Sequence, residues 1–211
     1  MNRTRISSLS LTIVVGILAA SAGVWLARSV LQGPAPAATA SATVLQPPRP
    51  LPAFDLLNET GAQFTRANLE GRWSLVFFGF THCPAICPNT LTMLQQTKGL
   101  LADLPQDLQP QLVFVSVDPE RDTPQQMAEY VRFFGPTLRG VTGPPDRISA
   151  LTEALGVPVS RTSLPNGDYT VDHSAAIFVI NPRGEFNALF TPTQTAQSIA
   201  SDYRIIVRAA S

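Results

Sequence analysis

The segment Trp73-Ser-Leu-Val-Phe-Phe-Gly-Phe80 runs directly into Thr81-His-Cys-Pro-Ala-Ile-Cys-Pro88. The first eight residues form a nearly continuous apolar run, which is typical of a central strand buried on both faces. The next eight contain both cysteines of the chain, Cys83 and Cys87. Leucines at helical spacing follow, so we expect the cysteines between the C-terminal end of a strand and the start of a helix. Ligand-binding and catalytic groups of open α/β sheets commonly gather at this edge.

The rest of the sequence predicts alternating strands and helices. A second buried strand is expected at 112–117, and Thr123-Pro124 is typical of a helix start. The remaining expected elements are a helix at 146–155, strands at 157–163 and 169–172 around a turn at 165–168, a hairpin of strands at 175–180 and 185–190, and a helix at 193–208. This order predicts a mixed α/β sheet flanked by helices.

Composition excludes several classes of protein. The 211 residues include 15 Lys and Arg and 15 Asp and Glu, so the net charge is zero. A nucleic-acid-binding protein needs a basic excess, so nucleic acid is not an expected partner. Two cysteines and two histidines, His82 and His173, are too few for a zinc finger, an iron–sulfur cluster or a scaffold of several disulfides.

The N-terminal fifty residues are expected to form an anchor and a linker. Residues 6–27 contain no charged side chain, and a helix of that length reaches about 33 Å, enough for a hydrocarbon core of about 30 Å. We predict a cytoplasmic N-terminus at 1–5, a transmembrane anchor at 6–27, a Pro/Ala-rich linker at 28–50 and a globular domain at 51–211. A cleaved signal peptide is the alternative interpretation of the apolar segment.

The two cysteines have the spacing C-x-x-x-C, and prolines shape the segment around them. If Pro88 is the first residue of the following helix, Cys87 lies at its N-cap. Both sulfurs then lie near the positive end of the helix dipole, which favours the thiolate over the thiol.

Three interpretations of this pair remain open. A structural disulfide that closes five residues gains only about 2 kcal/mol from chain entropy, and a redox-active dithiol is the second possibility. The third is a metal site, because two thiolates with one imidazole form a soft ligand set that suits Cu(I), whereas a closed zinc site needs four ligands. Sequence spacing alone does not decide whether His82 or His173 joins the cysteines.

Three segments resemble the signature segments of the SCO/SenC family. They are Phe78-Gly-Phe-Thr-His-Cys-Pro-Ala-Ile-Cys-Pro88, Val115-Ser-Val-Asp-Pro-Glu-Arg-Asp122 and Val171-Asp-His-Ser174. Their order and spacing match, and the resemblance extends from about Pro52 onward. It implies a thioredoxin-like fold and copper, as Cu(I) and also Cu(II), bound by Cys83, Cys87 and His173. His82 is then a bystander.

The resemblance also implies a function. Members of the family serve assembly of the copper A centre in subunit II of cytochrome c oxidase. We therefore expect a non-enzymatic copper chaperone, anchored by a single helix in a bacterial inner membrane with its domain in the periplasm. Other periplasmic copper chaperones and thioredoxin-like reductants are further expected partners. The alternative function is a thiol-disulfide oxidoreductase that uses Cys83 and Cys87 to reduce the copper-ligand cysteines of the oxidase subunit.

Four nearby positions carry secondary expectations. Ala85 departs from the family, which usually has Asp directly after the first Cys-Pro. Asp118 and Asp122 match the family's acidic segment and are expected to cap a turn and a helix rather than bind metal. Asp172 either orients His173 or is an exposed turn carboxylate.

Overall fold

The computed structural model describes residues 3–31, 39–165 and 167–210, with side chains of the first helix described from 13 to 27. The chain divides into two compact units, one that contains the first helix and one of residues 37–211. The first helix, α1, spans Arg3–Leu31. None of the helices in these ranges combines the length and hydropathy needed to cross a membrane. The anchor expected at 6–27 is therefore not confirmed.

The second unit contains an eight-stranded mixed sheet and a separate two-stranded one. The strands are β1 (Ala42–Pro50), β2 (Asp55–Asn58), β3 (Gln63–Thr65), β4 (Ser74–Gly79), β5 (Gln111–Ser116), β6 (Leu138–Thr142), β7 (Val159–Ser163), β8 (Tyr169–His173), β9 (Ile177–Ile180) and β10 (Glu185–Phe190). The helices are α2 (Ile86–Leu100), α3 (Pro124–Phe134), α4 (Pro145–Leu155) and α5 (Ala196–Ala209). The large sheet has the order β1-β10-β9-β4-β5-β6-β2-β3, and β7 pairs with β8.

The central strands match the prediction from the apolar runs. β4 is buried along its whole length and pairs in parallel with β5, which pairs in parallel with β6. On one face of the sheet, Val76 and Phe78 share an apolar cleft with Leu151 and Leu155 of α4. The other residues of β4, such as Phe77 and Gly79, face the opposite side of the sheet. The helix α2, which carries Cys87, lies on that side.

The linker prediction is wrong for residues 42–50, which form the edge strand β1. Among the described strands, β1 pairs with β10 alone, in antiparallel orientation, and its register shifts between Val44 and Arg49. Proline cannot donate to a ladder, but an edge strand has one side free of pairing and therefore tolerates it. The rest of the expected linker includes residues 32–38, which lie outside the described residues.

Three short strands escaped prediction. β2, β3 and β6 have three to five residues each and lack a long apolar run. They lie together at the other end of the sheet, where β2 pairs with β3 and with β6. The turn between β7 and β8 includes Asn166, which is outside the described residues.

Candidate metal centre

Three predicted site residues converge at the C-terminal edge of β4. The ligand atoms of Cys83, Cys87 and His173 all lie within 4.8 Å of one another. The distance from Cys87 Sγ to His173 Nε2 is 3.6 Å. Both cysteines are free thiols, and Cys83 is 9% exposed whereas Cys87 is fully buried. Cys83 is therefore the less buried of the two cysteines.

The helix that carries Cys87 begins earlier than predicted. α2 starts at Ile86, so Cys87 is its second residue and Pro88 its third, and the N-cap is Ala85. Proline is tolerated there because the first turn of a helix has no carbonyl partners for its amides. The first intrahelical hydrogen bond is donated by Asn89 N to Ala85 O, at 3.2 Å. The N-cap prediction for Cys87 is thus wrong by two residues.

The Cys83 sulfur nevertheless occupies the position of a helix cap. Its Sγ accepts a hydrogen bond from Cys87 N at 3.4 Å. The pKa of Cys83 falls to about 4, chiefly because the Cys87 thiol hydrogen-bonds to it, with His173 and backbone amides contributing and burial opposing. The pKa of Cys87 is raised by that same hydrogen bond and by burial. The pair consequently holds one thiolate and one thiol near neutral pH.

His173 ends β8 and is oriented by the backbone. Its Nδ1 lies 3.0 Å from the carbonyl oxygen of Ser174. If Nδ1 donates to that oxygen, Nε2 carries the lone pair and faces Cys87 Sγ. The imidazole also packs edge-on against Phe77 and Phe80, with ring centroids 6.1 and 5.9 Å away.

The acidic residues around the site have other partners than those expected. Asp172 is exposed and accepts a hydrogen bond from Thr162 Oγ1, which agrees with the expected exposed carboxylate and not with the alternative that it orients His173. α3 is capped by Thr123, whose Oγ1 accepts from Gln126 N, rather than by Asp122. Asp122 is fully buried and its Oδ2 accepts from Thr81 N at 3.0 Å.

His82 lies outside the cluster. Its side chain is 47% exposed, and its Nδ1 lies 3.1 Å from Thr81 Oγ1 and 3.8 Å from a carboxylate oxygen of Asp122. Among the described residues, the group of potential metal ligands at this edge contains only Cys83, Cys87 and His173. Ala85, where the family usually has Asp, offers no side-chain cap to α2.

Gly79 also shapes the metal centre, and the sequence did not lead us to predict this. A Cβ at this position would lie 2.8 Å from Cys87 Sγ and 2.8 Å from Cε2 of Phe114. The missing side chain therefore leaves room for the sulfur to pack against the end of β4. A glycine inside an apolar strand is a signal of such a close approach, and Phe78-Gly79-Phe80 carries that signal.

A comparison with family models identifies the chain. The model described as SCO1/SenC matches residues 43–208, most of the chain. The chain belongs to the SCO1/SenC family. Among curated SCO relatives, SCO1 homolog 1 of Arabidopsis thaliana is 38% identical over 153 residues, covering 69% of this chain and 43% of that protein. The SCO2 homolog of Danio rerio is 39% identical over 160 residues, covering 74% and 57%. The chain thus spans about half the length of these mitochondrial relatives.

Solved SCO structures share the fold. Arabidopsis thaliana ScoI with copper bound is 35% identical with a TM-score of 0.71, covering 74% of this chain and 97% of that one. Bradyrhizobium japonicum ScoI with copper bound is 33% identical with a TM-score of 0.66, covering 74% and 98%. BsSco, described as a member of the Sco family of cytochrome c oxidase assembly proteins, is 24% identical with a TM-score of 0.60 over 79% of this chain and 96% of that one, a likeness of fold alone. The thioredoxin-like mixed sheet expected from the resemblance is therefore confirmed.

Proposed function

We propose that this chain is a copper chaperone that binds the metal through Cys83, Cys87 and His173 and serves maturation of the copper A centre of cytochrome c oxidase. The observation that carries the proposal is the convergence of two sulfurs and one imidazole nitrogen within 4.8 Å, from positions up to 90 residues apart in sequence. The copper-bound relatives support the choice of metal.

The donor set fits copper better than zinc. Thiolates and imidazole are soft ligands that select Cu(I), whereas a structural zinc site is closed by four ligands. In the described part of the chain no fourth His, Cys, Asp or Glu joins the cluster. The lowered pKa of Cys83 helps metal binding, since this sulfur is already a thiolate at neutral pH.

The arrangement also suits release of the metal. Cys83 is the less buried of the two cysteines, and residues 84–86 beside it are exposed. An acceptor thiolate can approach from this side and replace one protein ligand at a time. Because both sulfurs must be reduced to bind, copper loading depends on the local redox state.

Anaerobic Cu(I) titration against a chromophoric chelator tests the proposal. Cys83→Ser and Cys87→Ser should each weaken Cu(I) binding at least tenfold, on the order of 1.4 kcal/mol or more, and His173→Ala should weaken it by a smaller factor. His82→Ala is the matched control, because that imidazole is adjacent in sequence but faces Thr81, and it should bind as the wild type does. Unchanged affinity in all three ligand variants would refute the site.

The acceptor of the copper and the membrane attachment of the domain are further parts of the proposed function. We infer that the acceptor is the copper A domain of oxidase subunit II, with periplasmic chaperones or thioredoxin-like proteins as suppliers of copper or electrons. Mixing the Cu(I)-loaded protein with that apo domain under anaerobic conditions should transfer copper to the domain, which the copper content of the two separated proteins would show. We further propose that residues 6–27 tether the domain at the outer face of the inner membrane, because they carry no charge. An alkaline phosphatase fused after residue 50 should be active and sediment with membranes.

A second candidate, thiol-disulfide exchange, is favoured by the unequal exposure of the two sulfurs. The accessible Cys83 thiolate would attack a partner disulfide, and the buried Cys87 would then displace the partner's sulfur. The partner gains two thiols and this chain gains a Cys83–Cys87 disulfide, so two electrons pass to the partner. Reduction of the oxidised subunit that survives His173→Ala and is lost with Cys83→Ser would favour this candidate; loss with His173→Ala would exclude it.

A further inference from the structure

The ligands of the metal centre belong to two elements that pair with different sheets. Cys83 and Cys87 follow β4 of the large sheet, whereas His173 ends β8 of the hairpin formed by β7 and β8. This hairpin pairs only with itself among the described strands. The separation between imidazole and sulfur therefore depends on the contacts that hold the hairpin against the rest of the domain.

Tyr169, the first residue of β8, makes several of these contacts. Its hydroxyl donates to Asp118 Oδ1 at 2.8 Å. Its ring contacts the guanidinium group of Arg121, whose Cζ lies 3.8 Å from the ring centroid, and that of Arg161 in β7 of the same hairpin, whose Cζ lies 4.7 Å from it. Cation–π contacts of this kind strengthen when they are desolvated.

Arg121 donates hydrogen bonds to the hairpin in addition to its contact with the Tyr169 ring. Its Nη1 donates to Tyr169 O and to Asp168 Oδ1, each at 3.1 Å. Its Nε donates to Asp118, which is fully buried. A buried carboxylate with charged and hydrogen-bonded partners is costly to disturb, so this side of the contact is rigid.

The segment that contains Asp118 and Arg121 also contacts the segment that carries the cysteines. We call residues 116–122 the bridging loop. Asp122 of this loop accepts from Thr81 N at 3.0 Å and from Thr81 Oγ1 at 2.6 Å, two residues before Cys83. Ser116 Oγ donates to Asp122 Oδ2 at 2.6 Å and accepts from Asp118 N at 3.0 Å, which joins the two halves of the loop.

We propose that the bridging loop is a spacer that sets the distance between His173 and the sulfurs, with Tyr169 and Arg121 as positioning residues. A continuous polar chain runs from Thr81 through the loop to Tyr169, four residues before His173. The inference rests on the proposed function, since it concerns how the third ligand is held. Neither positioning residue touches the metal.

The chemistry of copper predicts which oxidation state responds. Two thiolates alone satisfy much of the demand of Cu(I), a soft ion, whereas Cu(II) favours nitrogen ligands and higher coordination. Loosening the hairpin removes the imidazole for part of the time. It should therefore weaken Cu(II) binding more than Cu(I) binding.

Tyr169→Phe is the primary variant, because it keeps the ring that contacts both arginines and removes only the hydroxyl. We expect Cu(II) affinity to fall about tenfold, the loss typical of one hydrogen bond to a charged group, with Cu(I) affinity changed less than about threefold. In the metal-free protein, amide hydrogen exchange of β7 and β8 should become faster. Thr162→Val is the matched control on the same hairpin, because its hydroxyl binds exposed Asp172 and not the bridging loop. Arg121→Met is a second variant with the same expected direction.

A double-mutant cycle with His173→Ala separates positioning from general destabilisation. If Tyr169 acts through the imidazole, Tyr169→Phe should have no effect on Cu(II) affinity in the His173→Ala background. An equal loss in both backgrounds, or loss of Cu(II) affinity without faster exchange of the hairpin, would overturn the inference. If His173→Ala alone leaves copper affinity unchanged while Tyr169→Phe speeds exchange, the proposed function fails and the mechanical role of the loop stands.

Discussion

Substituting alanine for Gly79 is a severe test of how the structure places the buried sulfur. The new Cβ would lie 2.8 Å from both Cys87 Sγ and Phe114 Cε2, and 3.3 Å from Phe77 Cε1. Favourable contacts between such atoms begin near 3.5 Å. Since Cys87 and Phe114 are fully buried, a displacement of either one disturbs the packing around it.

The size of the effect follows from this crowding. One extra methyl group in a packed core costs about 1–3 kcal/mol, and two contacts at 2.8 Å place Gly79→Ala in the upper half of that range. The sulfur is the more movable neighbour, because it lies in the first turn of α2. We therefore expect Cys87 Sγ to be displaced away from β4, with a loss of Cu(I) affinity of about tenfold, or 1.4 kcal/mol.

Two measurements check this prediction. Urea unfolding of the reduced, metal-free protein, followed by circular dichroism, gives the change in the free energy of unfolding. Anaerobic competition with a Cu(I) chelator gives the affinity. Gly99→Ala is the matched control, because this glycine lies in α2 and has no atom within 4 Å of an added Cβ. This variant should gain up to about 1 kcal/mol of stability.

One outcome contradicts the reasoning directly. If Gly79→Ala unfolds at the same urea concentration as the wild type and binds Cu(I) equally well, the close approach between β4 and Cys87 is not a constraint on the site. A loss of stability with unchanged affinity would show that Phe114 moves rather than the sulfur, and it would refute the role of Gly79 in positioning Cys87.

Three further predictions follow from single buried groups. Asp202 accepts hydrogen bonds from the Ser41 side chain and from backbone amides of residues 40–42; burial opposes its ionisation, but these bonds outweigh it and lower its pKa below 3.8. The stabilisation by ionised Asp202 is therefore present above that value and lost as the pH falls through the lowered pKa. Asp202→Asn should lower the free energy of unfolding in urea by about 2 kcal/mol at pH 7. An equal loss at pH 2 would contradict this account. Because the pKa of Cys83 is about 4, its alkylation by iodoacetamide should precede that of Cys87 and have a constant rate above about pH 6; a rate that rises near pH 8–9 would show an ordinary thiol. Tyr203→Phe should cost about 1–2 kcal/mol, because it leaves the carbonyl of half-buried Leu108 without the phenol that donates to it at 2.9 Å. An unchanged urea midpoint would refute the contribution of this bond.

Local pattern was enough for the centre of the fold. The apolar run before the cysteines predicted β4, and the next run predicted β5, because strands buried on both faces lack alternation. Thr123-Pro124 predicted the start of α3, where Thr123 is the cap. These features depend on residues within one element, so the sequence carries them directly.

Elements whose stability comes from neighbours were harder to predict. β1 contains Pro47, Pro48 and Pro50, a composition typical of a linker, and it is a strand because β10 offers a free edge. The start of α2 was misplaced for a related reason, since Pro88 is tolerated at the third helical position as well as the first. Propensity cannot weigh such contacts, because the partner lies far away in sequence.

Some features of the candidate site were likewise predictable from local sequence, and others depended on the tertiary structure. The sequence by itself determined that Cys83 and Cys87 share one turn after a central strand, and the resemblance to a family added His173. Only the tertiary structure brought His173 Nε2 to 3.6 Å from Cys87 Sγ, turned Asp172 away from the imidazole, and showed that Gly79 makes room for the sulfur. The physical reason is that adjacency along the chain follows from covalent geometry, whereas the meeting of a hairpin with a helix 86 residues away follows from packing and buried hydrogen bonds that no local pattern encodes.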